Sequence, residues 1–430
     1  MLTILGFATI AVFLIVTLSG RVSVLVALVL IPLIAGLIGG FGAEIGPMMV
    51  DGITRVAPTG IMIMFAVLFF GLMLGTGIFY PMILGLARLI KGDPVRLCLV
   101  TAALAMLVSL DGDGATTFLI TVTAMLPVHK ALKMNPVVLP GVVALSAGVM
   151  NLLPWGGPTA RVMSVMSADS AQVFHPLIPA MIAGILWVFV AAALIGYGER
   201  RRLGIDTELD ATKLVVTTDP ADEGALRPRL FWFNVALTLA VLVVLFMHIL
   251  PLGPIFIIAF CIALVVNYRS WEEQKARLVA HADSVVIVTS MIFAAGIFTG
   301  ILSGTGMIDA MAQGFVAIMP EKFSGALPQI VALASMPLSL AFTPDAFYFG
   351  ILPVLTSGGA AMGLDQLDIA RSALMGQMTT GFPLSPLTAS TFILIGLSGV
   401  SLGAHQKFVF KWAFMTTIVM TVVASLTGAI

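Results

Sequence analysis

The sequence predicts an all-α polytopic membrane protein built as two inverted repeats of five transmembrane spans, each with one re-entrant hairpin and one broken helix. Three observations carry this. Of the 430 residues 60% are hydrophobic and only 10% charged, with a mean hydropathy of +1.12, far outside the range of soluble domains. The apolar residues fall in runs long enough to cross roughly 30 Å of hydrocarbon. Several features recur in the same order in the second half, offset by about 229 residues as from Gly71 to Gly300.

In chain order, the first repeat occupies 1–197, with spans near 2–19, 22–42, 58–87, 137–167 and 175–197. The run from Leu2 to Leu18 lacks a basic leader and a small-residue cleavage site, so it counts as a span. A hydrophilic stretch, 198–228, mixes Glu199 and Arg200 to Arg202 with Asp206, Glu208, Asp210, Asp219, Asp222 and Glu223 and predicts a cytoplasmic linker. The second repeat, 229–430, has spans near 230–250, 252–268, 283–316, 367–400 and 406–429. Two further apolar stretches, 95–130 and 325–358, are broken near their middles at Asp111–Gly114 and Phe342–Asp345, and predict hairpins that enter and leave on one side.

Charge placement supports this count. With both termini outside, the inner loops hold seventeen basic residues: Arg21, Arg88, Lys91, Arg96, Lys130, Lys133, Arg200 to Arg202, Lys213, Arg227, Arg229, Arg269, Lys275, Arg277, Lys407 and Lys411. The outer loops hold three, Arg55, Lys322 and Arg371, and Arg161 is left in the membrane. This is the bias expected of a cell inner membrane protein whose positive loops face the cytoplasm.

Zero net charge gives no reason to expect nucleic acid as a partner. Cys98 and Cys261 lie far apart inside apolar segments, which argues against a disulfide or thiolate metal site. No phosphate-binding loop or His-Glu-x-x-His is present. Gly399-Val-Ser401-Leu-Gly403 matches a nucleophile elbow only in spelling, because it joins two spans rather than a strand and a helix. The five histidines, His129, His175, His248, His281 and His405, are scattered near span ends. These features argue against an enzyme and against a resident cofactor.

Each half carries Gly-x-x-x-Gly-Thr-Gly, at Gly71 to Gly77 and Gly300 to Gly306, and a Pro-containing break, at Pro154–Thr159 and Pro383–Thr388. Five spans is an odd number, so the second repeat lies upside down on the first. Corresponding interruptions in inverted repeats point to a transporter's midplane site. The glycine pairs are expected to serve close helix packing.

The chemistry is expected at four breaks that should converge. Ser109-Leu-Asp111-Gly-Asp113-Gly-Ala-Thr116-Thr117 places two acids at bilayer depth, where each costs about 2.5–3.5 kcal/mol on insertion scales. Asp111, Asp113 and, in the second hairpin, Asp345 are candidates for proton coupling or contact with a hard cation, with Asp113 the metal candidate. The spacing is not a calcium loop, because Ala115 and Val122 stand where ligands are required. In Asn151-Leu-Leu-Pro-Trp155-Gly156-Gly157-Pro158-Thr159-Ala-Arg161, paired prolines and glycines split the span into half-helices, whose freed amides suit a carboxylate. Thr116, Thr117, Asn151, Gly156, Gly157, Thr159, Ser385 and Thr388 are the candidate solute contacts. Arg161 could meet an anion directly or pair with Asp111, Asp113 or Asp345.

Leu110-Asp-Gly-Asp-Gly-Ala-Thr-Thr117, Met150-Asn-Leu-Leu-Pro-Trp-Gly-Gly-Pro-Thr-Ala-Arg161, Phe382-Pro-Leu-Ser-Pro-Leu-Thr388 and His405-Gln406-Lys407 resemble the CitMHS family of citrate-metal:proton symporters, within the ion transporter superfamily. The resemblance implies proton-driven uptake of citrate complexed with a divalent cation such as magnesium or calcium. It further implies a homodimer, with a scaffold domain and a mobile domain working as an elevator-type transporter. A divalent metal leaves nearly trivalent citrate with about one negative charge, which lowers the cost of desolvation. The other transport reading on this fold is a sodium- or proton-coupled carrier of free di- or tricarboxylates.

Overall fold

The computed structural model describes residues 1–19, 21–206, 209–215, 223–247, 250–318 and 325–430, and these contain helices and no strand. His248, Lys322, Glu208, Asp219 and Asp222 lie outside them. Six long apolar helices coincide with expected spans: α1 (Leu2–Ser19), α3 (Ile45–Gly75), α10 (Ile178–Leu203), α11 (Phe231–Met247), α14 (Ala282–Gly304) and α20 (Leu402–Leu426). The second and seventh spans are shorter helices, α2 (Val24–Ile38) and α12 (Leu252–Asn267). The fourth and ninth are interrupted, as their Pro/Gly runs require: α7 (Val138–Met150) and α8 (Gly157–Met166) in one, α18 (Gln366–Ala373) and α19 (Ala389–Ser398) in the other.

The third span differs from its expected bounds. Its helix begins at Ile45 and takes in Asp51 and Arg55, which pair at 2.7 Å one helical turn apart on an exposed face. That spacing satisfies both charges locally, so the helix runs beyond the apolar stretch. It ends at Gly75-Thr76-Gly77, where Gly77 takes φ +81°, and α4 (Phe79–Ala87) follows. The matching Gly304-Thr305-Gly306 ends α14 in the same way, with Gly306 at φ +72° and α15 (Met307–Ile318) beyond. Here the αL residue after the cap is glycine because a Cβ is disfavoured in that conformation.

α5 (Pro94–Val108) and α6 (Gly114–Ala131) flank the break expected as the first hairpin tip, and α16 (Leu327–Leu338) and α17 (Leu352–Ala361) the break expected as the second; Pro94–Asp111 is itself long and apolar enough to cross a membrane. The second tip continues into a π-helical segment, Ala346–Ile351, a feature frequent at functional sites. A four-residue α9 (Ser170–Val173) precedes α10, and α13 (Trp271–Ala280) buries no side chain and carries a Ser270/Glu273 capping box.

α3 packs along α14 with backbone almost touching. A Cβ on Gly52 would lie 2.0 Å from the Gly296 carbonyl oxygen, and one on Gly300 2.4 Å from that of Met48. Gly304 likewise abuts Met48, and Gly71 abuts the His281 ring, while the nearest neighbour of Gly75 is Ala225 at 3.7 Å. None of Gly71, Gly75, Gly300 and Gly304 lines the cavity described below; close packing is seen at Gly71, Gly300 and Gly304 and not at Gly75.

Candidate solute site

The four breaks lie together. Trp155 Nε1 donates to the Leu110 carbonyl at 2.9 Å, joining the first broken helix to the first hairpin tip. Arg161 on α8 reaches the second hairpin, with Nε and Nη2 both 2.7 Å from Asp345 Oδ1. Asn151 Nδ2 donates to the Met378 carbonyl at 2.7 Å, joining the two broken helices, and Ser385 Oγ donates to the Ser339 carbonyl at 2.6 Å, joining the second broken helix to the second hairpin. Phe118 and Phe382 stack with centroids 6.1 Å apart across the remaining side.

Among these elements is a cavity of about 710 Å³. Asp111, Asp113, Asn151, Gly157, Arg161 and Asp345, six of the expected residues, line it, together with Trp155, Met378 and Phe382. Its opposite wall, formed by α3 and α14, is apolar except for Ser290, and it extends to Ser23 at the start of α2.

The three carboxylates differ in their surroundings. Asp113 is the N-cap of α6 and both its oxygens are engaged: Oδ1 accepts from Ala115 N at 3.1 Å and Oδ2 from Thr116 N at 3.1 Å and the Thr116 hydroxyl. Asp111 is buried, and its Oδ1 accepts from Asp113 N at 2.9 Å. Among the described residues, Asp111 Oδ2 and Asp345 Oδ2 accept no hydrogen bond. Asp345 engages Arg161 through one oxygen only, so of the partners left open for Arg161 the structure selects Asp345. The third guanidinium nitrogen, Nη1, meets the Gly157 carbonyl at 3.1 Å and Met378 Sδ at 3.5 Å.

The other expected contacts lie outside the cavity lining. Thr117 Oγ1 back-bonds to the Asp113 carbonyl at 2.9 Å and Thr159 Oγ1 donates to the Leu152 carbonyl at 2.8 Å. Thr388 Oγ1 donates to the Phe382 carbonyl at 3.0 Å, and Ser385 Oγ, besides its bond to Ser339, accepts from Leu387 N at 3.1 Å. These hydroxyls satisfy carbonyls and amides that the broken helices leave unpaired. Gly156 is required by the turn itself, because a Cβ there would stand 2.1 Å from the Asn151 carbonyl oxygen. Gly156 caps α8 without a side-chain bond, and Gly157, the first residue of α8, lines the cavity.

Sequence reasoning did not single out Trp155, Met378, Gln377 or Tyr348. Trp155 stacks on Phe70 at 5.2 Å and its ring covers Gly112; a lone tryptophan inside a Pro/Gly break was the available signal. Tyr348 Oη donates to the Gln377 carbonyl at 2.7 Å, and Ser339 Oγ donates to Gln377 Oε1 at 2.7 Å, a network that no local pattern announces. Among the described residues, no three His, Cys, Asp or Glu side chains come together as a metal-ligand set.

Apolar helices interrupted around a shared cavity that holds an ion pair and free carboxylate oxygens define a multi-pass membrane transporter. The chain belongs to the CitMHS citrate transporter family, whose match spans residues 2–381. It is 49% identical over its whole length to a protein named citrate transporter from Bacillus subtilis, all of which is covered. It is 45% identical, again over the whole chain and 99% of the relative, to a Mg(2+)/citrate complex secondary transporter of the same organism. Among solved structures it resembles the Alcanivorax borkumensis YdaH transporter, with a TM-score of 0.61 over 90% of this chain and 88% of that one, at 13% identity, which shows the fold alone.

Proposed function

We propose that the protein is a secondary active transporter that moves citrate, complexed with a divalent cation, together with protons across the cytoplasmic membrane. The observation that carries this is the single cavity at which both hairpin tips and both broken helices meet. The half-helix α8 offers amides at its N-terminus for a carboxylate. Arg161 and Asp345 cancel one another, which leaves Asp111 and Asp113 in the lining and no positive charge to balance a trianion. That suits a cargo of about one negative charge better than bare citrate. The metal travels as part of the solute, with the Asp111 and Asp345 oxygens free to complete its coordination; hard divalent cations take oxygen ligands.

For proton coupling, Asp111 and Asp345 each have an oxygen without a donor, whereas Asp113 is committed to capping α6. Asp113 remains the candidate through which a titration would alter the hairpin tip itself. The like endings of α3 and α14, and the two hairpin and broken-helix pairs, support a division into inverted repeats 1–197 and 229–430 joined by the linker 198–228. In this reading both termini face outward, and the cavity, reaching Ser23, opens toward the cytoplasm. A homodimer with an elevator motion completes the reading.

Titration calorimetry of the purified protein tests the cargo. Citrate heat that appears only with magnesium or calcium supports the reading; equal binding of citrate with metals chelated contradicts it.

A further inference from the structure

Met378 sits with φ +57° in the turn between α18 and α19. The other non-glycine residues with positive φ among the described ones, Lys91, Lys133 and Ser167, are exposed near helix ends, where such a conformation is common. Met378 instead lines the solute cavity, between Gln377 and Thr379, which are fully buried. Its backbone is held there by the Asn151 amide on its own carbonyl and by Tyr348 on that of Gln377. A glycine would adopt this backbone without strain, and the turn uses glycine nearby at Gly376 and Gly381. A side chain kept at a strained cavity position points from the outlier to a use for that side chain.

The side chain occupies the space above the first turn of α8. Its Sδ lies 3.5 Å from Arg161 Nη1, and its terminal methyl carbon stands 2.7 Å from where a Cβ of Gly157 would be. The thioether is flexible and only a weak acceptor, so it shifts without breaking a strong bond. We infer that Met378 is a specificity-determining residue, whose side chain limits how bulky an organic anion reaches the α8 amides beside Arg161. This rests on the reading of the cavity as the solute site.

The test compares uptake of citrate and homocitrate, which is citrate lengthened by one methylene, under a pH gradient with magnesium present, into vesicles holding the full-length protein or its Met378→Ala, Met378→Gly and Met378→Leu variants. One methylene in a confining pocket changes discrimination by about tenfold or more. The alanine and glycine variants are expected to narrow the citrate preference by about that factor, and the leucine variant, of similar volume, to keep it. Glycine also relieves the left-handed backbone, which guards against loss of the fold. An unchanged preference in both small variants, with citrate uptake intact, overturns the role of Met378 alone. Loss of citrate binding in the glycine variant overturns it too, since the side chain would then be holding the solute. Failure of the unsubstituted protein to move either anion overturns the solute reading itself.

Discussion

Arg161 and Asp345 join the two halves of the chain through a single carboxylate oxygen, and each keeps about a sixth of its side-chain surface exposed, 17% and 16%. Arg161→Gln leaves a carboxylate unpaired in a low-dielectric wall and is expected to cost on the order of 2 kcal/mol, less than the roughly 3–5 kcal/mol of a fully buried pair because of that exposure. Thermal unfolding in detergent checks this, and the double change Arg161→Gln with Asp345→Asn should recover most of the loss while uptake stays abolished. Thr159→Val is the converse case. Its hydroxyl serves the Leu152 carbonyl, so the variant should lose about 1–3 kcal/mol while keeping its apparent affinity for solute; a raised KM at unchanged Tm would place Thr159 in contact with cargo. At Asp113, asparagine still caps α6, so Asp113→Asn should fold normally. If its uptake then keeps the same pH dependence, Asp113 has no part in coupling. The residue types at the site were legible in the sequence because acids, an arginine and paired prolines are costly inside apolar runs unless a polar site uses them. Which hydroxyls line the cavity was not: Ser385, Thr388 and Thr159 turn toward carbonyls outside its lining, a choice of rotamer that composition does not record. Met378 gave no signal, since a methionine in an apolar run resembles core.

The breaks were the most legible elements. Two spans were expected to split and two further stretches to break into hairpins; α7/α8 and α18/α19 are split, and both further stretches break into two helices at the expected places, because proline and glycine act locally. The third span was misjudged at its start, since the Asp51–Arg55 pair lets a helix continue where hydropathy falls. Close approach of α3 and α14 at Gly52, Gly296 and Gly300 leads to an expectation at this scale. Gly52→Ala forces the helices apart and should destabilise by about 1–3 kcal/mol, seen as a lowered Tm; an unchanged Tm would mean that the contact yields freely. On the cytoplasmic side of the proposed topology, Arg227 Nη2 pairs with Glu273 at 2.7 Å while its Nε holds the Asn267 carbonyl at 2.6 Å, tying the end of the linker to α12 and α13. The Ser270 N–H, and then Arg227, hold the Glu273 carboxyl below its ordinary value of 4.5. A depressed carboxylate stabilises above that ordinary value and ceases to as pH falls through its folded value. The protection of 223–230 against hydrogen exchange, corrected for the intrinsic pH dependence of exchange, should therefore fall below about pH 4.5 and not on the alkaline side.

At the scale of the whole molecule, family membership and the all-helical fold agree with the polytopic membrane protein that the run lengths predicted, while cargo and coupling rest on a cavity lined by three aspartates and one arginine. An account in which the metal neutralises citrate and protons supply the drive makes uptake depend on both at once. The direct measurement is accumulation of labelled citrate in vesicles containing the purified protein, under an imposed pH gradient, with magnesium, calcium or zinc present or chelated. The account predicts accumulation that needs a divalent cation and collapses when the gradient is dissipated. Accumulation that persists with metals chelated, or that follows a sodium gradient in the absence of a pH gradient, would contradict it.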